Sequence, residues 1–267
     1  MSLVPGAATY RAERETLPVG RASGCMIRGR PYVPGDISRC YTRVSGAKGW
    51  IMLVGDSHAD ALSDGVVTAA GRLGYDVLSL TGASCAFTRH PAPSPFLPNC
   101  AQMNSDLLDR ATSAHPPALV IMSHWGARRM EIEPDWPRSL NPTLIELHEA
   151  DVPVLFVLDV PNFATWDAGQ PTSCRGGFLN FTCTLSRESV ESIHSKARAA
   201  AIAFTRGRPG VTTYDPWPQF CTATACSSVV NGRLAYRDFG HLNAIGSRLL
   251  AADLQDAMES VLVPTRT

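Results

Sequence analysis

Trp50-Ile51-Met52-Leu53-Val54-Gly55-Asp56-Ser57-His58 runs from an apolar segment straight into a polar turn. Trp50 to Val54 has the length of a buried strand, and a helical pattern begins near Asp60, so Ser57 stands where a strand hands over to a helix. In an open parallel sheet that junction lies at the carboxyl edge of the strands, where ligand sites form. The helix start there also offers N–H groups without intrahelical partners, which favour negative charge. Near the other end of the chain, Asp238-Phe239-Gly240-His241-Leu242 supplies an acid and a histidine three residues apart, just before the last amphipathic segment. Serine, histidine and aspartate are the parts of a nucleophilic triad: Ser57 the nucleophile, His241 the base, Asp238 the acid that fixes the imidazole tautomer. The plain alternatives are an N-cap serine and a histidine that merely starts a helix.

Working outward, the spacing predicts strands at 50–54, 76–80, 118–122, 153–158 and 211–214, alternating with helices at 60–73, 102–114, 142–150, 187–206 and 243–261. Val190, Ile193, Ala197, Ala200 and Phe204 recur on one helical face, as do Ile245, Leu249, Leu250, Leu254 and Met258. Asn141-Pro142 and Asn243 stand where helices should begin. Strands such as Val154 to Leu158 are apolar throughout, which requires a sheet covered on both faces. The expected fold is therefore a three-layer α/β/α sandwich with a flavodoxin-like, five-stranded parallel sheet. Residues 1–48, rich in Gly, Pro and Arg, read as an irregular extension packed across the domain formed by 49–267. Two long connections, 81–101 and 159–186, break the alternation, and loops of that length are more often functional than idle.

The 267 residues are 45% hydrophobic, with 24 basic and 24 acidic side chains. No Lys/Arg cluster with interleaved aromatics occurs, which argues against nucleic acid. No window approaches the roughly 20 apolar residues of a membrane span, and Met1 to Arg14 lacks the apolar core of a secretory signal. Eight cysteines fall as the sequence-local pairs Cys25/Cys40, Cys85/Cys100, Cys174/Cys183 and Cys221/Cys226. Disulfides are the natural reading, and short loops favour neighbour closure among the many possible pairings. Zinc spacings are absent, so no metal and no cofactor is expected. An oxidised domain without an export signal of its own points to a piece of a longer exported or membrane-bound protein, monomeric when isolated. Ser45-Gly46-Ala47-Lys48 fits a Ser-x-x-Lys pattern but precedes a strand and lacks the companion motifs. Asp215 is an alternative acid, though an aspartate before proline commonly just ends a strand. Asp56 reads as a brace for its turn. His90, His115, His148 and His194 are scattered and expected in solvent, and Asn180-Phe181-Thr182 is a glycosylation sequon by pattern alone.

Gly55-Asp56-Ser57-His58 and Asp238-x-x-His241-Leu242 resemble the first and last blocks of the SGNH/GDSL hydrolase superfamily. Ser57-His58-Ala59, Ser84-Cys85, Tyr214-Asp215-Pro216 and Tyr236-Arg237-Asp238 further resemble the SGNH domains fused to acyltransferase family three membrane proteins, which take part in O-acylation of surface carbohydrates. The resemblance implies an extracytoplasmic acyl enzyme tethered through a membrane acyltransferase domain, with an acyl donor and a carbohydrate acceptor. It also implies an oxyanion hole from the Ser57 N–H, from Gly82 at the second block, and from a third block whose asparagine is here replaced by Ser123-His124-Trp125-Gly126. Trp125 offers one indole N–H and a face on which a sugar can stack. His58, His124 and Trp125 are the candidate substrate contacts. A carbohydrate esterase would need the same triad, and a glycan-binding module without catalysis would follow if the altered third block has lost its donor.

Overall fold

The computed structural model describes residues 7–163 and 183–262. Six strands form its central sheet: β1 (Tyr41–Thr42), β2 (Trp50–Gly55), β3 (Asp76–Ser79), β4 (Leu119–Ser123), β5 (Val154–Val157) and β6 (Val211–Tyr214), in the order β1-β3-β2-β4-β5-β6. The five predicted strands run parallel. The sixth is a correction to the expected count. Tyr41 and Thr42 lie antiparallel to Leu78 and Val77, and two residues carry too little pattern to announce a strand. Because β2 is flanked by β3 on one side and β4 on the other, the chain reverses its direction of travel across the sheet at β2. The carboxyl ends beside it form the crevice where α/β proteins bind ligands.

Alternation along β2 explains its unbroken hydrophobicity. Met52 and Val54 enter one core with Leu78, Val120, Met122 and Phe156, while Ile51 and Leu53 enter the other with Val77, Ile121, Leu155 and Val157. On the second face lie the helices α1 (Ser57–Ala61) and α2 (Ser63–Leu73) with the carboxyl-terminal pair. On the first face lie α3 (Cys100–Ala111), α5 (Asn141–Glu149) and most of α6 (Arg187–Thr205); α4 (Gly126–Ile132), which the sequence did not announce, packs on α6. The helix expected at 60–73 is two pieces meeting at Leu62, and the one at 243–261 divides at Leu250 into α7 (Ala244–Leu249) and α8 (Ala251–Leu262). Both leucines are fully or almost fully buried, so each joint turns the chain without exposing an apolar side chain.

The amino-terminal segment is more ordered than an irregular extension. It holds helices Ala7–Arg14, Val19–Ala22 and Gly35–Arg39, and Met26–Ile27 pairs in parallel with Thr81–Gly82 beside the sheet. Cys25–Cys40 ties this piece to β1, Cys85–Cys100 closes the connection between β3 and α3, and Cys221–Cys226 forms as well. The expected Cys174–Cys183 pair is described at one end only. Cys183 is buried and disulfide-bonded, whereas its expected partner Cys174 lies outside the described residues, as does the sequon at Asn180. Each of the first two bridges closes a separation of 15 residues. A Cys25→Ser, Cys40→Ser double variant is expected to lose about 3 kcal/mol of unfolding free energy, measured as a lower urea midpoint. An unchanged midpoint would mean that the bridge adds nothing to a segment already held by its strand pairings.

Candidate active site

Strand β2 ends on Gly55, whose φ is 134°; a Cβ there would lie 1.9 Å from the Ser123 carbonyl oxygen of β4. Only glycine lets the two strand ends close to this distance. The next residue uses that proximity. Asp56 caps α1 by accepting the His58 N–H at 2.9 Å, and it also accepts the Trp125 N–H at 3.0 Å and Arg129 Nε–H at 3.2 Å. Asp56 is therefore the brace that its position promised, and it joins three elements. Burial pushes its carboxyl up, but the charge of Arg129, then that of His58, and the His58 N–H outweigh burial, leaving its pKa below the ordinary value.

With α1 started this way, Ser57 is its first residue, and its N–H has no acceptor within the helix. Ser57 Oγ lies 2.8 Å from His241 Nε2, and His241 Nδ1 lies 2.9 Å from both oxygens of Asp238. The Asp238 carboxylate also accepts the N–H groups of Gly240 and His241, so the Asp-x-x-His segment is a small capped turn with the imidazole held against its own acid. Burial would raise Asp238, but His241 and the two N–H groups hold it far below the usual carboxylate range. Burial lowers the pKa of His241, helped by the His58 charge and opposed by Asp238, so the imidazole is a free base at neutral pH.

The remaining expected residues are placed differently. His58 is not a surface contact: it is 3% exposed, its Nδ1 is 2.6 Å from Asp159 Oδ1, and Trp125 stacks on it at 5.2 Å between ring centroids. Its ring centroid is 4.5 Å from that of His241. Burial opposes its charge, yet Asp159 and then Asp56 and Asp238 raise its pKa above the ordinary value. His124 is likewise enclosed. Its Nε2 accepts the Phe87 N–H at 3.0 Å, and burial pushes it down to about 4, which makes it a neutral internal acceptor and not a substrate contact. Trp125 does border the cleft, but its Nε1 is buried and has no acceptor among the described residues. Gly82 lies behind the cleft wall, where a Cβ would come within 2.6 Å of Leu97 and 2.8 Å of Cys85; the wall itself is Ala83 and Ser84. The Ala83 N–H is bonded to Ile27 and the Cys85 N–H to Gly82, whereas the Ser84 N–H has no acceptor among the described residues. Ser84 sits at φ 52°, uncommon for a residue with a side chain. Asp215 is bonded to Arg198 and the Trp217 N–H, away from His241. His194, expected in solvent, is 2% exposed beside Asp159 and Trp217; His90, His115 and His148 are exposed.

Ser57, Trp125, Ser84 and His241 line an open cleft of about 200 Å³. A hydroxyl bonded to a neutral, acid-anchored imidazole on such a cleft is the arrangement of a serine nucleophile with its base. The family model of the SGNH domain that occurs fused to AT3 domains matches residues 24–256. The chain belongs to this SGNH family. Among solved structures it is similar to the periplasmic domain of a lipopolysaccharide acetyltransferase from Salmonella ser. Paratyphi A, with a TM-score of 0.67 at 16% identity, covering 94% of this chain and 96% of that one. A protein from Slackia heliotrinireducens assigned to the SGNH hydrolases aligns at a TM-score of 0.47 and 18% identity, over 79% of this chain and 98% of that one. No curated protein matches the chain in sequence. The membership agrees with the α/β/α sheet described above and with the Gly55-to-His58 and Asp238-to-His241 blocks.

The buried Asp56–Arg129 pair sets the stability of this SGNH site. Replacing Asp56 by Ala leaves the 1% exposed Arg129 with Glu133 as its remaining carboxylate partner and removes the acceptor of the His58 and Trp125 N–H groups, and should cost about 3 kcal/mol in a urea titration. A loss below about 1 kcal/mol, the range of an exposed pair, would show that the pair does not brace the strand ends.

Proposed function

We propose that the chain is a serine acyl enzyme that moves an acyl group, acetyl in the simplest case, from a donor ester to a hydroxyl of a cell-surface carbohydrate. The observation that carries this reading is the continuous Ser57–His241–Asp238 hydrogen-bond chain opening on the cleft. In the first half-reaction the Ser57 hydroxyl proton passes to His241 Nε2 as Oγ bonds to the acyl carbon. The leaving group departs with that proton, and an ester on Ser57 remains. In the second, an acceptor hydroxyl gives its proton to His241, bonds to the acyl carbon, and Ser57 is released with the proton returned. Oxyanion donors are assigned to the Ser57 N–H, free by its place at the helix start, and to the Ser84 N–H on the facing wall. Trp125 presents ring surface for a sugar, and Gly82 contributes by permitting the tight packing behind that wall.

The fusion of this family to AT3 domains supports a membrane acyltransferase partner in the full-length protein. Three disulfides between described residues, and the periplasmic origin of the Salmonella neighbour, support an extracytoplasmic location. No described helix is long and apolar enough to cross a membrane.

Ser57→Ala should lower hydrolysis of an acetyl aryl ester by about 10⁴-fold or more, and Asp238→Asn by a similar order through loss of the correct imidazole tautomer. Unchanged turnover in Ser57→Ala would remove the enzyme reading. Supplying donor with and without polysaccharide, then assaying for acylated sugar, separates transfer from hydrolysis.

The pH dependence has a definite sign. Protonated His241 cannot take the serine proton, so kcat/KM should fall as pH drops through the His241 pKa, which lies below the ordinary 6.5. His58, facing Asp56, Asp159, Asp238, His124 and His241, contributes positive charge that holds His241 down. His58→Gln and Asp159→Asn, the latter by discharging His58, should both move the acid limb upward in pH. A limb that stays in place in both variants would deny that coupling.

A further inference from the structure

The cleft around Ser57 carries more positive charge than its own carboxylates offset. Arg21, Arg28 and Arg237 line it together with Ser57, Trp125 and His241. Arg237 approaches Asp238 at 3.6 Å, but that carboxylate is already bonded to His241, and Arg237 Nη1 is buried with no acceptor among the described residues. Arg28 is exposed, with its guanidinium 5.0 Å over the Phe96 ring. Neither Arg21 nor Arg28 forms an ion pair with a described residue. Arg21 is held below its ordinary pKa by burial and by the charges of Arg237 and Arg28, and all three side chains line the same cleft. The other nearby acid is Asp60, which is 1% exposed and pushed up to about 7 by burial against the pull of Arg21 and Arg237.

This is a local arrangement, since the whole chain balances 24 basic against 24 acidic residues. Elsewhere many of the described arginines are spent on carboxylates: Arg30 on Asp36, Arg43 on Asp76, Arg89 on Glu146, Arg198 on Asp215 and Arg248 on Asp64. A guanidinium presents a fixed fork of donors that matches a carboxylate or a phosphate, and several around a low-dielectric cleft raise the local concentration of anions.

We infer that Arg21, Arg28 and Arg237 form an anion subsite beside Ser57, so that the molecule acylated or deacylated there carries a carboxylate or phosphate group. Which of the two reactants bears the anion rests on the serine acyl-enzyme reading; anion binding itself does not. Arg21 and Arg28 come from the amino-terminal segment and Arg237 from the residue before the Asp238 turn, so the subsite draws on both the segment and the loop that carries His241.

Two matched pairs of probes test the inference. As donors, para-acetoxybenzoate is compared with its neutral methyl ester. As acceptors, methyl glucuronide is compared with methyl glucoside, with para-nitrophenyl acetate as donor. The anionic member of one pair should be preferred at least about tenfold in kcat/KM at roughly 20 mM salt, and the preference should shrink several-fold near roughly 0.5 M, where screening is short-ranged. Arg21→Gln and Arg28→Gln should each lower the same ratio. Preference in the donor pair assigns the anion to the donor, and preference in the acceptor pair assigns it to the sugar. Equal treatment of both pairs at low salt overturns the subsite, as does a preference indifferent to salt and to both arginine variants. Calorimetric titration of inorganic phosphate and of methyl glucuronide into the Ser57→Ala chain reads the subsite without turnover. Binding that is lost on adding Arg21→Gln supports it even if the acyl-enzyme reading fails, and no binding to Ser57→Ala overturns it.

Discussion

A single buried carboxylate organises this end of the sheet. Asp56 follows the glycine that lets β2 and β4 approach closely, and it accepts N–H groups from α1, from Trp125 two residues past β4 and from the guanidinium of α4. A charge at 2% exposure is tolerated only because these donors and Arg129 replace its water. The exchange fixes more than a turn. It sets where α1 begins, hence where Ser57 points its unspent N–H, and it holds Trp125 where its ring can cover His58. Gly55 and Asp56 thus work as one device: the first brings two strand ends together and the second bonds across the gap.

The same cluster separates two histidines by environment. His58 and His241 face each other at 4.5 Å, and two imidazolium charges at that distance inside a protein are mutually unfavourable. Each has an aspartate partner, but Asp159 meets a fully enclosed ring while Asp238 shares its oxygens with the backbone of its own turn. His58 is therefore pushed toward holding a proton and His241 toward releasing one. Unequal neighbours of this kind are how one site drives two adjacent imidazoles apart in basicity.

Much of this was legible in the sequence, for reasons visible in particular residues. The run Ile51 to Val54 divides strictly between two cores, so an apolar run did mean a sheet covered twice, and the strand-to-helix junction and the Asp-x-x-His turn were local patterns that place their own side chains. What could not be read was set by contacts distant along the chain. Arg129 reaches Asp56 across 73 residues and Asp159 reaches His58 across 101, and neither sits in a motif. The edge strand Tyr41–Thr42 is too short for periodicity. His124 and His58 looked like pocket residues because they flank the key turns, yet in a tightly packed strand end a flanking side chain points inward as readily as outward. Gly82 was one step off, since a glycine can be required by what packs behind a wall and not by what passes in front of it.

The amino-terminal segment changes meaning in this light. Met26 and Ile27 pair with Thr81 and Gly82, the Cys25–Cys40 bridge anchors that pairing to the edge of the sheet, and Glu13 bonds the Leu234 N–H while Arg14 bonds the Arg237 carbonyl. The segment thereby touches both halves of the site: the wall carrying Ser84 and the loop carrying Asp238 and His241. A strand pairing, a disulfide and a set of backbone bonds fix its position, together with Ile27 and Tyr32, which it places in the hydrophobic core. Its surface residues are then free to vary with little cost to the fold, whereas Gly55, Asp56 and the Asp238 turn are not. On the proposed reading, two of the three arginines of the anion subsite come from this segment, and they meet Ser57 and the Asp238 turn at the shared cleft.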